Sequence, residues 1–369
     1  MSYSAFDHVA MSRALALAER GLATTQPNPR VGCVVARDEV IVGEGWHERK
    51  GGPHAEVHAL QDAGERARGA TVYVTLEPCA HTGRTGPCAD ALVDARVARV
   101  VAACEDPYPE VAGRGFERLR AAGIAVEIGL MRESARELNR GFLMRIEHGR
   151  PWVRVKLASS LDGRTALLDG SSQWITGEPA RADNMKWRAR ASALMTGIGT
   201  VLADDPQLTV RTGTQGFVPP LRVVLDSSLR IPPGARVLDD SAPSLVVCAP
   251  EVVARHSGLD PAKLMSCPHH ATGLGLAVVL AELAQRGINE LQVEAGPTLS
   301  GALLHAGLVD ELLLYLNPSI IGDTGMALMQ LPPLQALGDR ARFRVIDTRI
   351  VGDDMRLLLR PREMEQRRG

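Results

Sequence analysis

"GPHAEVHAL" (residues 52–60) and "VTLEPCAHTGRTGPCADAL" (residues 74–92) decide the reading of the chain. A histidine and a glutamate two positions apart, His54 and Glu56, are followed by Cys79 and Cys88, each preceded by proline. Zinc takes imidazole nitrogen and thiolate sulfur, and a catalytic site keeps three protein ligands so that water can hold the fourth position. His54, Cys79 and Cys88 form such a set, and the prolines stiffen the turns that aim the thiols. Cys88 also falls at the start of a predicted helix, where the dipole favours a thiolate. Two positions on a helix is a rotation of about 200°, so His54 and Glu56 converge only if His54 sits at the helix entry, as "GGP" before it suggests. A carboxylate there, beside the metal but not on it, can take a proton and hand it on.

Other metal readings fit less well. His58 lies four residues after His54, but H-A-E-V-H is not the H-E-x-x-H of metalloproteases, because the glutamate is offset. His58 reads as a packing residue, Cys33, Cys104, Cys248 and Cys267 as structural thiols, and His269–His270 as loop residues.

A chain of 369 residues suggests two domains. Apolar residues make up 45% and aromatics only 4%, so the cores must rest on Ala, Val and Leu. Residues 1–148 carry 18 basic and 20 acidic side chains, and the remainder 24 and 23. Neither part is basic, which argues against nucleic acid as partner. No secretory signal and no apolar run of about 18 residues is visible, so neither membrane insertion nor export is expected. Six cysteines without a signal read as thiols or metal ligands of a cytoplasmic protein. The mixed-charge tail "RPREMEQRRG" reads as a solvated end.

Along residues 1–148 the pattern predicts a helix at 8–20, a hairpin of strands at 31–37 and 40–46, and a helix at 55–63. A strand at 71–75, a helix at 87–95 and a strand at 97–103 follow, then a helix at 113–122 and a strand at 125–128. Hairpin followed by βα units gives a mixed sheet covered by helices. "EHGRP" (147–151) marks a boundary between domains 1–148 and 149–369. Beyond it "WVRVKLA" starts a strand, with further strands at 193–197, 221–225, 245–248 and 291–294. Helices are predicted at 180–191, 277–286 and 298–305, loops at 212–220 and 228–244, and two closing strands at 343–348 and 355–359. "VEAGPTLSGALL" (293–304) and "TGIGTVLADDPQLTVR" (196–211) each run from strand through a glycine turn, and a helix start after such a turn suits a phosphate. Either could equally be an ordinary β–α connection, and neither is a full G-x-G-x-x-G.

His-x-Glu followed by Pro-Cys and a second cysteine resembles the signature of the zinc cytidine and nucleobase deaminases. Most of that superfamily spaces its cysteines two apart, whereas eight residues, "AHTGRTGP", intervene here. "TLEPCAHTGRTGPC", "PNPRVGCVV" and "HAEVHAL" resemble the riboflavin-biosynthesis deaminase. The resemblance implies a cytidine-deaminase-like α/β/α domain with Glu56 as proton carrier and Asn28, His47 and His81 lining a pyrimidine pocket. "KLASSLDGRTA", "SQWIT", "GTVLADDPQLTVR" and "EAGPTLSGALL" resemble the riboflavin-biosynthesis reductase, whose α/β fold is similar to dihydrofolate reductase. That implies an NADPH site at Ala158, Trp174, Thr200, Asp204, Ser227 and Gly296, Pro297, Thr298, Leu299, Ser300, Gly301 and Ala302. It implies ribotide contacts at Ser172, Arg188, Leu208, Arg211 and Glu294. Without the resemblance, Trp174 reads as core packing and Arg188 as a solvated helix residue. One zinc per chain and a small pyrimidine ribotide as substrate are implied, and a homo-oligomer is expected. Three alternatives remain: a deaminase with a decayed reductase, a nucleic-acid deaminase with an accessory domain, and a non-catalytic zinc-stapled module.

Overall fold

The computed structural model describes residues 3–80, 86–211, 213–253, 258–270 and 273–362. The chain divides into one unit of Met1–Gly149 with Thr214–Val218, and a second of Arg150–Gly213 with Pro219–Gly369. The division falls inside "EHGRP". Thr214–Val218, within a predicted loop, groups with the first unit, where the Val218 N–H donates to the Ala23 carbonyl at 3.1 Å.

In the first unit, helix α1 (Ala5–Glu19) leads into strands β1 (Gly32–Arg37) and β2 (Val40–Trp46), then helix α2 (Ala55–Ala63) and strand β3 (Thr71–Val74). Helix α3 (Cys88–Asp94), strand β4 (Arg99–Ala102), helix α4 (Arg114–Ala121) and strand β5 (Ala125–Ile128) follow, then helices α5 (Arg132–Leu138) and α6 (Arg140–His148). Helix α1 begins three residues before its predicted start, because Ser4 and Asp7 close a capping box. The sheet order is β2-β1-β3-β4-β5, antiparallel across β1 and parallel from β3 to β5. Side chains alternate across it. Cys33, Val35, Val72 and Val74 pack with Ala55, Ala59, Ala89, Leu92 and Phe116 of helices α2 to α4. Val34, Ala36 and Tyr73 pack on the opposite face with Ala10, Met11 and Leu17 of α1 and Ala135 of α5. Small residues decide how closely α2 approaches: a Cβ at Gly45 would run into the Ala55 carbonyl and the Ala59 nitrogen. The glycine thus seats the first turn of α2, the turn that carries Glu56, against β2.

The second unit opens with strands β6 (Trp152–Ser160) and β7 (Arg164–Ala166), helix α7 (Glu178–Arg190), strand β8 (Ala193–Gly197), helix α8 (Ile198–Asp204) and strands β9 (Leu221–Leu225) and β10 (Ser244–Cys248). The short helix α9 (Pro250–Val253) and strands β11 (Leu264–Ser266), β12 (His269–His270) and β13 (Gly273–Leu274) follow. Helix α10 (Leu276–Gln285), strand β14 (Glu290–Val293), helix α11 (Pro297–His305) and strands β15 (Glu311–Asn317), β16 (Met326–Ala327), β17 (Phe343–Val351) and β18 (Asp354–Pro361) complete it. The main sheet runs β11-β10-β9-β8-β14-β6-β15-β18-β17, parallel up to β15 and antiparallel in the last two pairings. Its inner strands are buried on both faces, as parallel strands require. Val153, Val155, Met195, Val223 and Leu291 face one cluster with α10, and Leu194, Val224 and Val246 face another with α8. His269 and His270 form a short strand where a loop was predicted. Among the described residues no helix is long and apolar enough to cross a membrane.

Candidate active sites

His54 is the N-cap of α2, with extended backbone (φ −79°, ψ 168°), and Glu56 lies in the first helical turn. That placement removes the 200° problem, since His54 stands outside the helix. Cys88 is the first residue of α3, with Pro87 as its cap. The His54 Nδ1 lies 3.2 Å from the Cys88 Sγ and 3.6 Å from the Cys79 Sγ. All three donor atoms are within 4.8 Å of one another. The Cys88 N–H donates to the Cys79 Sγ at 3.4 Å, so the start of α3 supports a thiolate there. The Cys79 thiol is pushed down to about 4, first by its hydrogen bond with Cys88 and then by His54, against the cost of burial. Cys88 is held up by that same hydrogen bond and by burial. One nitrogen and two sulfurs, converging beside a carboxyl, fit a three-ligand zinc centre.

Glu56 is 3% exposed. Burial, followed by the nearby Cys79, pushes its carboxyl up to about 7, the range a proton carrier needs at neutral pH. His47 is also buried, with its ring edge-to-face on His54 at 5.2 Å between centroids. The His47 Nδ1 is 3.1 Å from the Pro53 carbonyl, and its Nε2 is 3.1 Å from the Asn28 Nδ2. Asn28, His47 and His54 thus form one contiguous wall. His81 lies outside the described residues. Sequence reading missed Glu77, whose carboxylate accepts from the N–H groups of Gly113 and Gly115 at 3.0 Å and of Asp106 at 3.3 Å. It ties the loop after β4 to the turn that carries Cys79. A glutamate two residues before the first cysteine was the available signal.

Cys33, Cys104, Cys248 and Cys267 are buried and free. His58 has its Nε2 buried without a hydrogen-bond partner, in keeping with packing.

The proposed cofactor residues of the second unit cluster by topology. Ala158 lies near the C-terminal end of β6, Thr200 in α8 just beyond the end of β8, Ser227 just past β9 and Gly296 just past β14. These are carboxyl ends of parallel strands, where open α/β sheets bind ligands. Gly296 caps α11 without a side-chain hydrogen bond, and a Cβ there would meet only open space. The turn therefore leaves room for a phosphate-bearing cofactor against the helix start. Within 296–302 the residues differ. Gly296 and Thr298 are exposed and Pro297, Leu299 and Ala302 half-buried, whereas Ser300 is buried with its hydroxyl donating to the Ala295 carbonyl at 3.4 Å. Gly301 packs against the Gln330 backbone. Trp174 is not core: it is 68% exposed, with the Arg181 guanidinium 4.5 Å from its ring centroid. Asp204 is exposed and accepts from the Gln173 Nε2 at 3.4 Å.

Arg188 is not a solvated helix residue. Its Nε and Nη2 both donate to Glu294 at 2.7 Å, and its Nη1 donates to the Thr209 carbonyl at 3.0 Å. Asn184 and Gln292 also donate to Glu294, at 3.2 and 2.8 Å. Burial raises the Glu294 carboxyl, but Arg188 and then Lys156 outweigh it and hold it well below the ordinary carboxylate range. Lys156, another residue the sequence reading missed, has its amine pushed down by burial and held up by Glu294. Leu208 has a left-handed backbone (φ 49°) and a buried side chain, so only its backbone can face a ligand. Ser172 is half-buried, and Arg211 is exposed with no ion-pair partner among the described residues.

Residues 4–104 match the family described as the cytidine and deoxycytidylate deaminase zinc-binding region, and residues 151–357 match the RibD C-terminal domain. The chain is 49% identical over 364 residues to the riboflavin biosynthesis protein RibD of Escherichia coli K12, covering 96% of this chain and 99% of that protein. Solved structures of Acinetobacter baumannii RibD (44% identity, TM-score 0.88) and of a diaminohydroxyphosphoribosylaminopyrimidine deaminase/5-amino-6-(5-phosphoribosylamino)uracil reductase from Thermotoga maritima (32%, 0.85) are similar. Each match covers 96% of this chain and 99% of the other. With a zinc deaminase region followed by a reductase region, aligned end to end with these relatives, the chain belongs to the RibD family.

Proposed function

We infer that the chain catalyses two consecutive steps of riboflavin biosynthesis on one pyrimidine ribotide. Residues 1–148 act as the deaminase domain and 149–369 as the reductase domain. The first step hydrolyses the amino group of 2,5-diamino-6-ribosylamino-4(3H)-pyrimidinone 5′-phosphate. The second reduces the ribose of 5-amino-6-(5-phosphoribosylamino)uracil to the ribitylamino product. The observation that carries this reading is the convergence of His54, Cys79 and Cys88 beside the buried Glu56. The match of 151–357 to the reductase region favours two activities over a deaminase with a decayed partner.

His54, Cys79 and Cys88 would hold zinc, which when bound makes water a competent nucleophile near neutral pH. Glu56 takes the proton of the attacking water and returns it to the ring nitrogen and the departing ammonia. Asn28 and His47 orient the pyrimidine, with His81 as a third pocket residue. In the second domain NADPH, when bound, supplies the hydride. The Gly296–Thr298 turn faces its phosphates, while Ala158, Trp174, Thr200, Asp204 and Ser227 line the remainder of its site. Ser300 and Gly301 support the turn from behind. Arg211 receives the ribotide phosphate, for which a guanidinium offers paired donors. Arg188 holds Glu294 in place toward the ribose, and Ser172 and the Leu208 backbone complete the contacts. The near-balance of charge in both parts supports a small substrate over a nucleic acid. We read the chain as a cytoplasmic homo-oligomer. Supplying the diaminopyrimidine ribotide and following ammonia release and NADPH oxidation separately tests the reading. Both should proceed, ammonia first. Ammonia release without any NADPH oxidation would leave only the deaminase.

A further inference from the structure

Asn28 stands on a loop that makes few bonds of its own. Residues 20–31 join α1 to β1 and carry Asn28 between Pro27 and Pro29, which bring no backbone N–H. The bonds within the loop are short in range: the Asn28 N–H donates to the Thr25 carbonyl at 3.0 Å, and the buried Thr25 hydroxyl donates to the Gly21 carbonyl at 3.1 Å. Where the loop runs into β1 the sheet takes over. The His47 N–H donates to the Val31 carbonyl at 2.9 Å. Gly32 exchanges two bonds with Thr75, its N–H donating to the threonine hydroxyl and its carbonyl accepting from the Thr75 N–H, both at 3.1 Å.

Arg30 lies just outside that pairing, and a side chain 109 residues away completes it. The Arg30 N–H donates to the Asn139 Oδ1 at 2.7 Å, and the Asn139 Nδ2 donates to the Arg30 carbonyl at 2.8 Å. A residue on an antiparallel neighbour would exchange the same two bonds. An amide can do so because it carries a donor and an acceptor side by side, whereas an ionised aspartate has no donor. Asn139 separates α5 from α6, and its backbone serves both: its N–H donates to the Ala135 carbonyl at 3.2 Å and its carbonyl accepts from the Leu143 N–H at 2.9 Å. The Arg30 guanidinium ties the same junction to the loop, donating to the Leu138 carbonyl at 2.8 Å and the Leu22 carbonyl at 3.4 Å. Asn139 and Arg30 are both buried, so these bonds are made away from solvent.

We propose that Asn139 is a positioning residue for deamination, fixing through the Arg30 backbone where Asn28 stands at the pyrimidine pocket. The proposal rests on the reading above that Asn28 orients the ring. From Asn28 the contacts continue to the His47 Nε2 and from the His47 Nδ1 to the carbonyl of Pro53, the residue before His54. The Asn139 amide bonds to neither Asn28 nor the metal donors, so its influence on the ring passes through Arg30.

The test is a double-mutant cycle in the full chain, read as ammonia release. Asn28→Ala should raise the KM for the diaminopyrimidine ribotide roughly three- to tenfold, the worth of a neutral hydrogen bond, with a smaller change in kcat. Asn139→Ala should give the same split and no larger a rise, because it acts through Asn28. In the Asn28→Ala background it should cost less than about twofold, since coupled residues are not additive. Asn139→Ser, with room for a water to take up the two Arg30 groups, should show a weaker form of the same split. Zinc content, and NADPH oxidation with the deaminated ribotide, should stay at parent values in each variant. Additive effects of Asn28→Ala and Asn139→Ala, an unchanged KM in Asn139→Ala, or zinc or NADPH oxidation lost alongside would overturn the proposal and leave Asn28 in the pocket. Undiminished ammonia release in Asn28→Ala would overturn both the pocket reading and the proposal.

Discussion

The two sites are built in opposite ways. In the first unit three donor atoms lie within 4.8 Å, fixed by a helix cap, a helix start and a turn, and the neighbouring Glu56 carboxyl is 3% exposed. In the second, the proposed contacts are spread along the carboxyl ends of β6, β8, β9 and β14, and many are half-buried or exposed. A metal centre is specified by residue type, because few side chains bind zinc. A dinucleotide site is specified by where strands end, and its contacts come largely from backbone and small residues. One is broken by a single atom, the other by degrees, and substitutions should show that contrast.

The largest effect is expected at the metal ligands. Cys79→Ser or Cys88→Ser should lose most of about one bound zinc per chain and nearly all ammonia release, because a hydroxyl is a poorer zinc ligand than a thiolate. Cys33→Ser, buried and not among the three converging donors, should retain its metal. Full zinc content in Cys88→Ser, measured by elemental analysis, would contradict the ligand set.

Intermediate effects belong to the arginines of the second site, and the structure separates them. Arg211→Met should weaken ribotide binding roughly ten- to a hundredfold, the worth of a charge-assisted contact, with NADPH binding and melting temperature nearly unchanged. Arg188→Met should also lower thermal stability, because it leaves the buried Glu294 charge without its main partner. Equal loss of NADPH affinity would move either arginine into the cofactor pocket.

Gly301→Ala probes the support of the α11 turn. Its Cβ would press on the Gln330 backbone, an overpacking cost of about 1–3 kcal/mol, read as a lower denaturation midpoint with deamination unchanged. The smallest effect is in pH dependence. Arg188 and Lys156 hold the Glu294 carboxyl down, so its contribution to stability is complete above the ordinary glutamate value of about 4.3 and fades as acid protonates it. Acid denaturation curves should show that part of the slope in the parent and not in Arg188→Met.

Much of this was legible beforehand. Strands 40–46, 125–128, 193–197 and 221–225 and helix 55–63 have the predicted bounds, since each is an alternating or apolar run closed by Gly, Pro or charge. Helices α5 and α6 were not, because "RESAREL" is short and mostly charged and is interrupted at Asn139. Strand β15 was also missed: "ELLLYLN" carries no period that separates strand from helix. The buried Arg154 escaped for a different reason. Its partners Glu290 and Glu311 lie 136 and 157 residues away, and only the sheet brings them to it at 3.2 and 2.7 Å. In the sites, the convergence of His54, Cys79 and Cys88 was readable from their residue types and spacing. The pairing of Arg188 with Glu294 was not, because it depends on how α7 lies against the end of β14.

That one chain carries two chemically separate reactions is tested most directly by Glu56→Gln. Glutamine keeps the side chain's shape and should leave zinc bound, but it cannot carry a proton, a role worth about 10²–10⁴-fold. Ammonia release from the diaminopyrimidine ribotide should fall by at least that range, while NADPH oxidation with the already deaminated ribotide continues near the parent rate. Undiminished ammonia release, or loss of both activities together, would contradict it.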